Sequence, residues 1–234
     1  MEFHPEKCQV LRITNKSKPV IVTYNIHGIS LSFFNSVKYL GITIDSKLNW
    51  NEQCDNIFKK ASFMMSFLER NLYRCPGNVK ENCYKTLVRP ILEYSCTAWD
   101  PHKQYQINKL ELLHKRAARF ITGNYIRQHG NTDKNMKSLG WSSLEERRHK
   151  FKLTLFFKIQ SDLIHIPRDD LIPNVRKPSL FQIPTSSVDA HLYSFFPSTI
   201  RLWNSLPHSC KAATSLNSFK SSIENINTKC LSKY

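Results

Sequence analysis

Along this chain the spacing of apolar positions changes once, from a period of two to a period of three and four, and the change divides the sequence. Residues 8–13 (CQVLRI) alternate, and residues 21–26 (IVTYNI) are rich in β-branched side chains. Residues 29–33 (ISLSF) follow across His27-Gly28, a spacing that suits a two-residue hairpin turn. Residues 37–45 (VKYLGITID) complete the set. Val37 and Tyr39, then Ile42 and Ile44, carry the alternation while Gly41 breaks its phase. The stretch therefore reads as a half-buried strand with a bulge or a close backbone approach at the glycine. Four strands in 45 residues predict one small sheet, marginal by itself, so the segment reads as part of a truncated domain.

From Asn49 the pattern is helical. Cys54, Ile57, Ala61, Met64, Met65 and Leu68 place a helix over residues 51–70, with Asn49 or Asn51 as its cap. A second helix opens at Asn78 and aligns Val79, Cys83, Leu87, Ile91 and Tyr94. Pro90 lies inside it and predicts a kink or a break. After the stop at Trp99-Asp100-Pro101-His102, a third helix over 104–122 buries Ile107, Leu110, His114, Ala117 and Ile121 and ends at Gly123-Asn124. Three helices with short connections predict a compact bundle.

Beyond it, residues 132–139 suit a short helix. Ser142-Ser143-Leu144-Glu145 offers a capping box for a longer one reaching about Leu163, with Phe151, Leu155, Ile159 and Leu163 buried. Residues 168–197 are proline-punctuated and expected to be extended. In residues 194–207 (SFFPSTIRLWNSLP), Phe195, Phe196 and Trp203 read as packing anchors rather than base-stacking platforms, and a last helix capped at Thr214 or Ser215 buries Leu216, Phe219 and Ile223. The expected fold is α+β and predominantly α-helical. A small antiparallel sheet occupies residues 1–46, a three-helix bundle 47–127, and a helical and extended region 128–234.

Charge narrows the partners. Lys plus Arg number 34 against 18 Asp plus Glu, a net charge of +16, which points to a polyanion, nucleic acid ahead of an anionic membrane. No run of 18 apolar residues exists, and Met1 to Lys7 lacks the pattern of a signal peptide. The expectation is therefore an intracellular protein, in the nucleus or cytoplasm, with no membrane partner. The seven cysteines include no C-x-x-C pair, and a zinc set of Cys75, Cys83, Cys96 and His102 matches no common ligand spacing. The basic charge is concentrated: residues 103–152 hold twelve Lys or Arg against four acids. Lys109, Lys115, Arg116 and Arg119 sit off the apolar stripe of the third helix, and Arg127 follows it. Singly each is a solvated side chain; together they form an electrostatic footprint for phosphate. No G-x-S-x-G or H-E-x-x-H motif is present, and His114, on an apolar helix face, reads as a satisfied core histidine.

Several strings also stand in a particular order. They are Phe3-His4-Pro5-Glu6-Lys7-Cys8, VKYLGITID, Leu48-Asn49-Trp50, Leu87-Val88-Arg89-Pro90-Ile91-Leu92-Glu93-Tyr94, Trp99-Asp100-Pro101, LELLHKRAARF at 110–120, and residues 194–207. In that order and spacing the chain resembles the C-terminal part of jockey-like non-LTR retrotransposon reverse transcriptases. The resemblance implies that Lys7 is an accessory proton donor at the end of the palm, with His4 where the family often has asparagine. It implies a primer-grip hairpin at Lys38, Tyr39, Leu40 and Gly41, where a glycine lets backbone approach a sugar-phosphate. It implies a thumb whose basic helix, with Lys109, Lys115, Arg116, Arg119 and Arg127, tracks an RNA template and DNA primer.

Reverse transcription needs two metals held by palm aspartates, and no Tyr-x-Asp-Asp turn occurs here. Asp169-Asp170 has the wrong neighbours, and Asp45 has no partner carboxylate near it in sequence. The resemblance thus implies that this chain binds no cofactor, that Mg²⁺ belongs to the full-length enzyme, and that fingers and catalytic palm would precede Met1. The expected role is template-primer binding without polymerase activity. The alternatives are a stand-alone basic nucleic-acid-binding module and a degenerate transposon remnant with no activity.

Overall fold

The structure, a computed structural model, describes residues 4–126, 130–167, 169, 171–175, 177 and 179–228. It is α+β and mainly helical, and it divides into two compact units, Met1–Asn56 and Ile57–Tyr234.

In the first unit the strands form three separate two-stranded ladders instead of one sheet. Strand β1 (Val10–Leu11) runs parallel to β4 (Phe33–Phe34), while β2 (Asn25–Ile26) pairs antiparallel with β3 (Ile29–Ser30). The β2–β3 turn is the expected His27-Gly28 pair, with φ of 52° and 80°. Residues 37–45 depart from the expected single strand. They form most of a hairpin of β5 (Ser36–Tyr39) and β6 (Ile42–Asp45), with Val37 opposite Ile44 and Tyr39 opposite Ile42. The reason is Leu40-Gly41. Both residues are left-handed, at φ 46° and 84°, the conformation whose twist suits a two-residue hairpin turn. The break in alternation that suggested a bulge is a chain reversal.

Helix α1 (Asn51–Asn71) starts in the first unit and continues in the second. The expected second helix is divided into α2 (Gly77–Cys83), a π-helical turn (Tyr84–Val88), α3 (Arg89–Glu93) and α4 (Cys96–Trp99). Pro90 explains the division, because it falls in the first turn of α3, where its missing N–H costs no hydrogen bond, and the wide turn precedes it. Ser95, left-handed at φ 49°, separates α3 from α4. Helix α5 (Gln104–Thr122) closes with Gly123 at φ 66°, the left-handed stop expected there.

Helices α6 (Asn131–Ser138) and α7 (Leu144–Gln160) pack on α5. The capping box of α7 uses Ser143 and Glu146, one residue later than the sequence pattern suggests: Glu146 N–H donates to Ser143 Oγ at 3.2 Å and Ser143 N–H to Glu146 Oε2 at 3.0 Å. The buried face of α7 also differs from expectation. Ile159 is buried as expected, but Phe151 and Leu163 are exposed, and the helix also buries Arg148, His149, Lys152, Leu153, Phe156 and Phe157. Two cations lie on that face because a buried carboxylate holds them. Asp100 accepts from Arg148 Nε at 2.7 Å and pairs with Lys152 Nζ at 2.6 Å. Lys152 Nζ also donates to Ser198 Oγ at 3.0 Å, on α9 (Phe195–Asn204). Burial by itself would raise the Asp100 carboxyl, but the Lys152 and Arg148 charges outweigh it and hold it down at about 2.

The end of the second unit packs a separate core. Leu153, Phe156 and Phe157 of α7 meet Ile200 and Trp203 of α9, Cys210 of α10 (His208–Lys211), and Phe219 and Ile223 of α11 (Leu216–Glu224). Trp203 is fully buried, and Phe195 and Phe196 rest against the same cluster as the packing anchors expected. Between α7 and α9 lies α8 (Asp189–Leu192) in an otherwise irregular stretch. Asn204 fastens that stretch, accepting from Phe181 N–H at 3.0 Å and donating to its carbonyl at 2.8 Å.

His114 of α5 is buried under Trp141, with ring centroids 4.8 Å apart. Its Nε2 lies 3.1 Å from the Ser142 carbonyl, which can only accept, so Nε2 carries the proton and Nδ1 accepts from the Tyr84 hydroxyl at 2.6 Å. Burial lowers His114 from 6.5 to about 4.

Two outcomes are expected. Asp100→Asn leaves Arg148 and Lys152 buried without a counter-charge and lowers unfolding free energy by about 3–5 kcal/mol in urea titrations; a loss under about 1 kcal/mol would contradict the assignment. Because His114 is harder to protonate folded than unfolded, its contribution is complete above pH 6.5 and is lost as pH falls toward 4, a change on the order of 3 kcal/mol. The pH dependence of stability across that window should be shallower in His114→Gln than in the parent chain.

Candidate nucleic-acid interface

In the first unit, the β5–β6 hairpin presents Lys38, Tyr39, Leu40 and Gly41 together at its tip, and all four are exposed. Strand β6 of the hairpin is held by polar contacts. Thr43 N–H donates to Gln53 Oε1 at 2.8 Å, and Asn56 Nδ2 donates to Thr43 Oγ1 at 3.2 Å. Asp45 organises the turn into α1: its Oδ1 accepts from Lys47 N–H at 2.7 Å and from Asn49 Nδ2 at 2.8 Å. The tip therefore projects from a braced base, which suits a surface that must hold its shape against a ligand. Lys7 lies at the end of a short 3₁₀ turn, Pro5–Lys7, and is exposed.

In the second unit, α5 carries the other candidates, and its neighbours occupy most of them. Arg116 donates through Nε to Glu69 Oε1 at 2.9 Å, through NH2 to Glu69 Oε2, and to Ser66 Oγ at 3.0 Å. Lys115 Nζ is 3.7 Å from Asp133 Oδ1. The Lys109 ammonium stands 5.0 Å over the Phe58 ring. Arg119 is half-buried, and its guanidinium has no partner among the described residues. Arg127 lies outside the described residues.

The dense basic charge over residues 103–152 is likewise partly spent inside the fold. Arg147 pairs with Glu93, and Arg148 and Lys152 with Asp100. These three cations are therefore structural and leave the phosphate footprint read from the sequence. Lys103, Lys134 and Lys137 remain exposed. Sequence reasoning could not pair Arg116 with Glu69, because 47 residues separate them and nothing local joins them. A readable signal was missed in the first unit, where no Asp or Glu occurs between Glu6 and Asp45 while Lys7, Arg12, Lys16, Lys18 and Lys38 do.

Among the described residues no three His, Cys, Asp or Glu side chains come together as a metal-holding group, and no helix is long and apolar enough to cross a membrane. No protein-family profile and no solved structure matches the chain. A curated protein does match.

The chain is similar to a reverse transcriptase. That relative is the RNA-directed DNA polymerase from mobile element jockey of Drosophila melanogaster, 27% identical over 128 residues. The match covers 53% of this chain and 14% of the relative's length. The resemblance to a jockey-like reverse transcriptase fragment, drawn from the ordered strings, is thereby supported.

The two arginines on α5 should separate in experiment. Arg116→Ala breaks a half-exposed ion pair and is expected to lower unfolding free energy by about 1 kcal/mol. Arg119→Ala, with no protein partner to lose among the described residues, should stay within about 0.5 kcal/mol of the parent in the same denaturation assay.

Proposed function

We propose that this chain is the primer-grip and thumb portion of a jockey-like RNA-directed DNA polymerase, with template-primer binding as its role. The observation that carries the reading is the hairpin tip. The residues that the resemblance makes a primer grip lie exposed on a two-residue turn and the strand end that leads into it, where backbone at Gly41 is open to a sugar-phosphate.

In this reading residues 1–46 are a palm remnant, 47–127 the thumb and 128–234 a supporting C-terminal region. Lys38 meets phosphate beside the Tyr39-Leu40-Gly41 tip. Arg119 and Arg127 meet the backbone of the RNA–DNA duplex, with Lys109, Lys115 and Arg116 exchanging their intramolecular partners for phosphate. Lys7 donates a proton to departing pyrophosphate in an active site whose carboxylates come from elsewhere. The sequence holds no Tyr-x-Asp-Asp turn, so these residues bind and orient nucleic acid, while Mg²⁺ in the full-length enzyme supplies charge neutralisation at the reacting phosphate. The chain works inside the cell, in the nucleus or cytoplasm.

A degenerate remnant is the second reading, favoured by apolar side chains left in water in the first unit: Val20 is 75% and Ile21 82% exposed.

Titration of a labelled RNA–DNA template-primer with the purified chain separates the two. Binding that weakens steeply with added salt, and whose log–log slope falls by about one for each phosphate contact removed in Lys38→Ala and Arg119→Ala, supports the polymerase fragment. Absent or salt-insensitive binding supports the remnant. Mg²⁺-dependent primer extension by the chain alone would overturn the assignment of chemistry to other segments.

A further inference from the structure

The first unit holds a cleft of about 530 Å³ that the grip-and-thumb reading does not use, lined by Gln9, Arg12, Tyr24, Asn25, Leu31 and Phe33 among others. It lies where the β1–β4 ladder meets the start of the β2–β3 hairpin. Two aromatic rings form one corner: Tyr24 and Phe33 have centroids 6.1 Å apart and planes inclined at 55°. The Arg12 guanidinium lies 4.4 Å from the centre of the Phe33 ring, so a cation and an aromatic face are already combined there. The rings are not sealed into a core. Tyr24 is 51% exposed and Phe33 41% exposed.

An open aromatic corner suits either an apolar peptide or a nucleobase, and charge decides between them. Arg12 lines the cleft, and none of the described residues that line it is acidic. A guanidinium beside two open aromatic rings complements a ligand that is flat, stackable and attached to phosphate. Gln9 and Asn25 add amides that can donate to and accept from a base edge. Asn25 Oδ1 already accepts from Ser30 Oγ at 2.7 Å, which turns its Nδ2 donor to the remaining partners. The volume falls within the usual range for a small-ligand pocket.

We propose that this cleft binds an unpaired nucleobase of a single-stranded nucleic acid, stacked on Tyr24, with Arg12 toward the flanking phosphate. For the identity of its polyanion the assignment rests on the template-primer reading, and it adds a single-strand subsite to the duplex contacts of the grip and thumb. Stacking reads the face of a base and tolerates any sequence, so the subsite holds an advancing strand without selecting among strands.

The test compares three labelled probes on the full chain: a short oligouridylate, the matching DNA single strand and an RNA–DNA template-primer without an unpaired overhang. Tyr24→Ala combined with Arg12→Ala is expected to lower single-strand affinity about tenfold and leave template-primer affinity unchanged, whereas Tyr24→Phe retains both. A loss confined to RNA or to DNA names the strand that the cleft takes.

Single-strand affinity that survives the double variant overturns the cleft while leaving the template-primer reading intact. Single-strand binding that depends on Tyr24, without any template-primer binding, overturns that reading and supports the cleft. Absence of both overturns both. Photocrosslinking the unsubstituted chain with a 4-thiouridine oligonucleotide removes any dependence on variant folding: adducts at Tyr24 or Phe33 are expected, and adducts found only elsewhere overturn the assignment.

Discussion

The Asp100 carboxylate, buried between Arg148 and Lys152, is the interaction on which the second unit depends. Three charges removed from water are costly unless they compensate one another. Here one anion faces two cations, so the cluster keeps a positive surplus, and the Arg148 terminal nitrogens have no hydrogen-bond partner among the described residues. The cluster joins the end of α4, the middle of α7 and, through Ser198, the start of α9. It sets which face of α7 points inward. Once Arg148 and Lys152 are committed to Asp100, Leu153, Phe156 and Phe157 are turned toward Trp203 and Phe219, and the C-terminal aromatic core follows.

The same economy governs the cations of α5 and α7. A formal charge of +16 suggests an excess of free cations, yet Arg116, Lys115, Arg147, Arg148 and Lys152 each face a carboxylate. Half-exposed pairs such as Arg116–Glu69 are weakly held and screened by salt. They can be exchanged for phosphate, whereas the buried pairs cannot. The cations open to a polyanion are therefore fewer than composition implies, and they include Lys38 at the hairpin tip and Arg119 on α5. In the proposed reading the ligand of these cations is nucleic acid, and in the first unit Arg12 places further positive charge beside the exposed Phe33 ring.

Much of the architecture was legible from residues alone, for reasons that are local. The helical period from Asn51, the stop at Gly123 and the turn at His27-Gly28 depend on neighbours within a few positions, so sequence reports them directly. His114 as a buried, satisfied histidine followed from the apolar positions around it on α5. Of the site, the grouping of Lys38, Tyr39, Leu40 and Gly41 was legible because they are contiguous. Their placement on a turn was not, since a broken alternation is compatible with a bulge or a reversal, and the left-handed backbone of Leu40 distinguishes the two.

By itself, then, the sequence determined the division into a strand-rich opening and a helical remainder, the basic balance, and the ordered strings that resemble a jockey-like polymerase. The first two are properties of composition and of short-range periodicity, and the third is a resemblance carried by the order of the strings along the chain. Tertiary structure decided which basic residues are structural and which are free, because Asp100 lies 48 residues from Arg148 and Glu69 lies 47 from Arg116. It also decided that Tyr24 and Phe33 share a cleft, since the parallel pairing of β1 with β4 and the hairpin of β2 with β3 bring them together. Electrostatic partners and shared cavities depend on distance in space, and the folded backbone alone converts sequence separation into that distance.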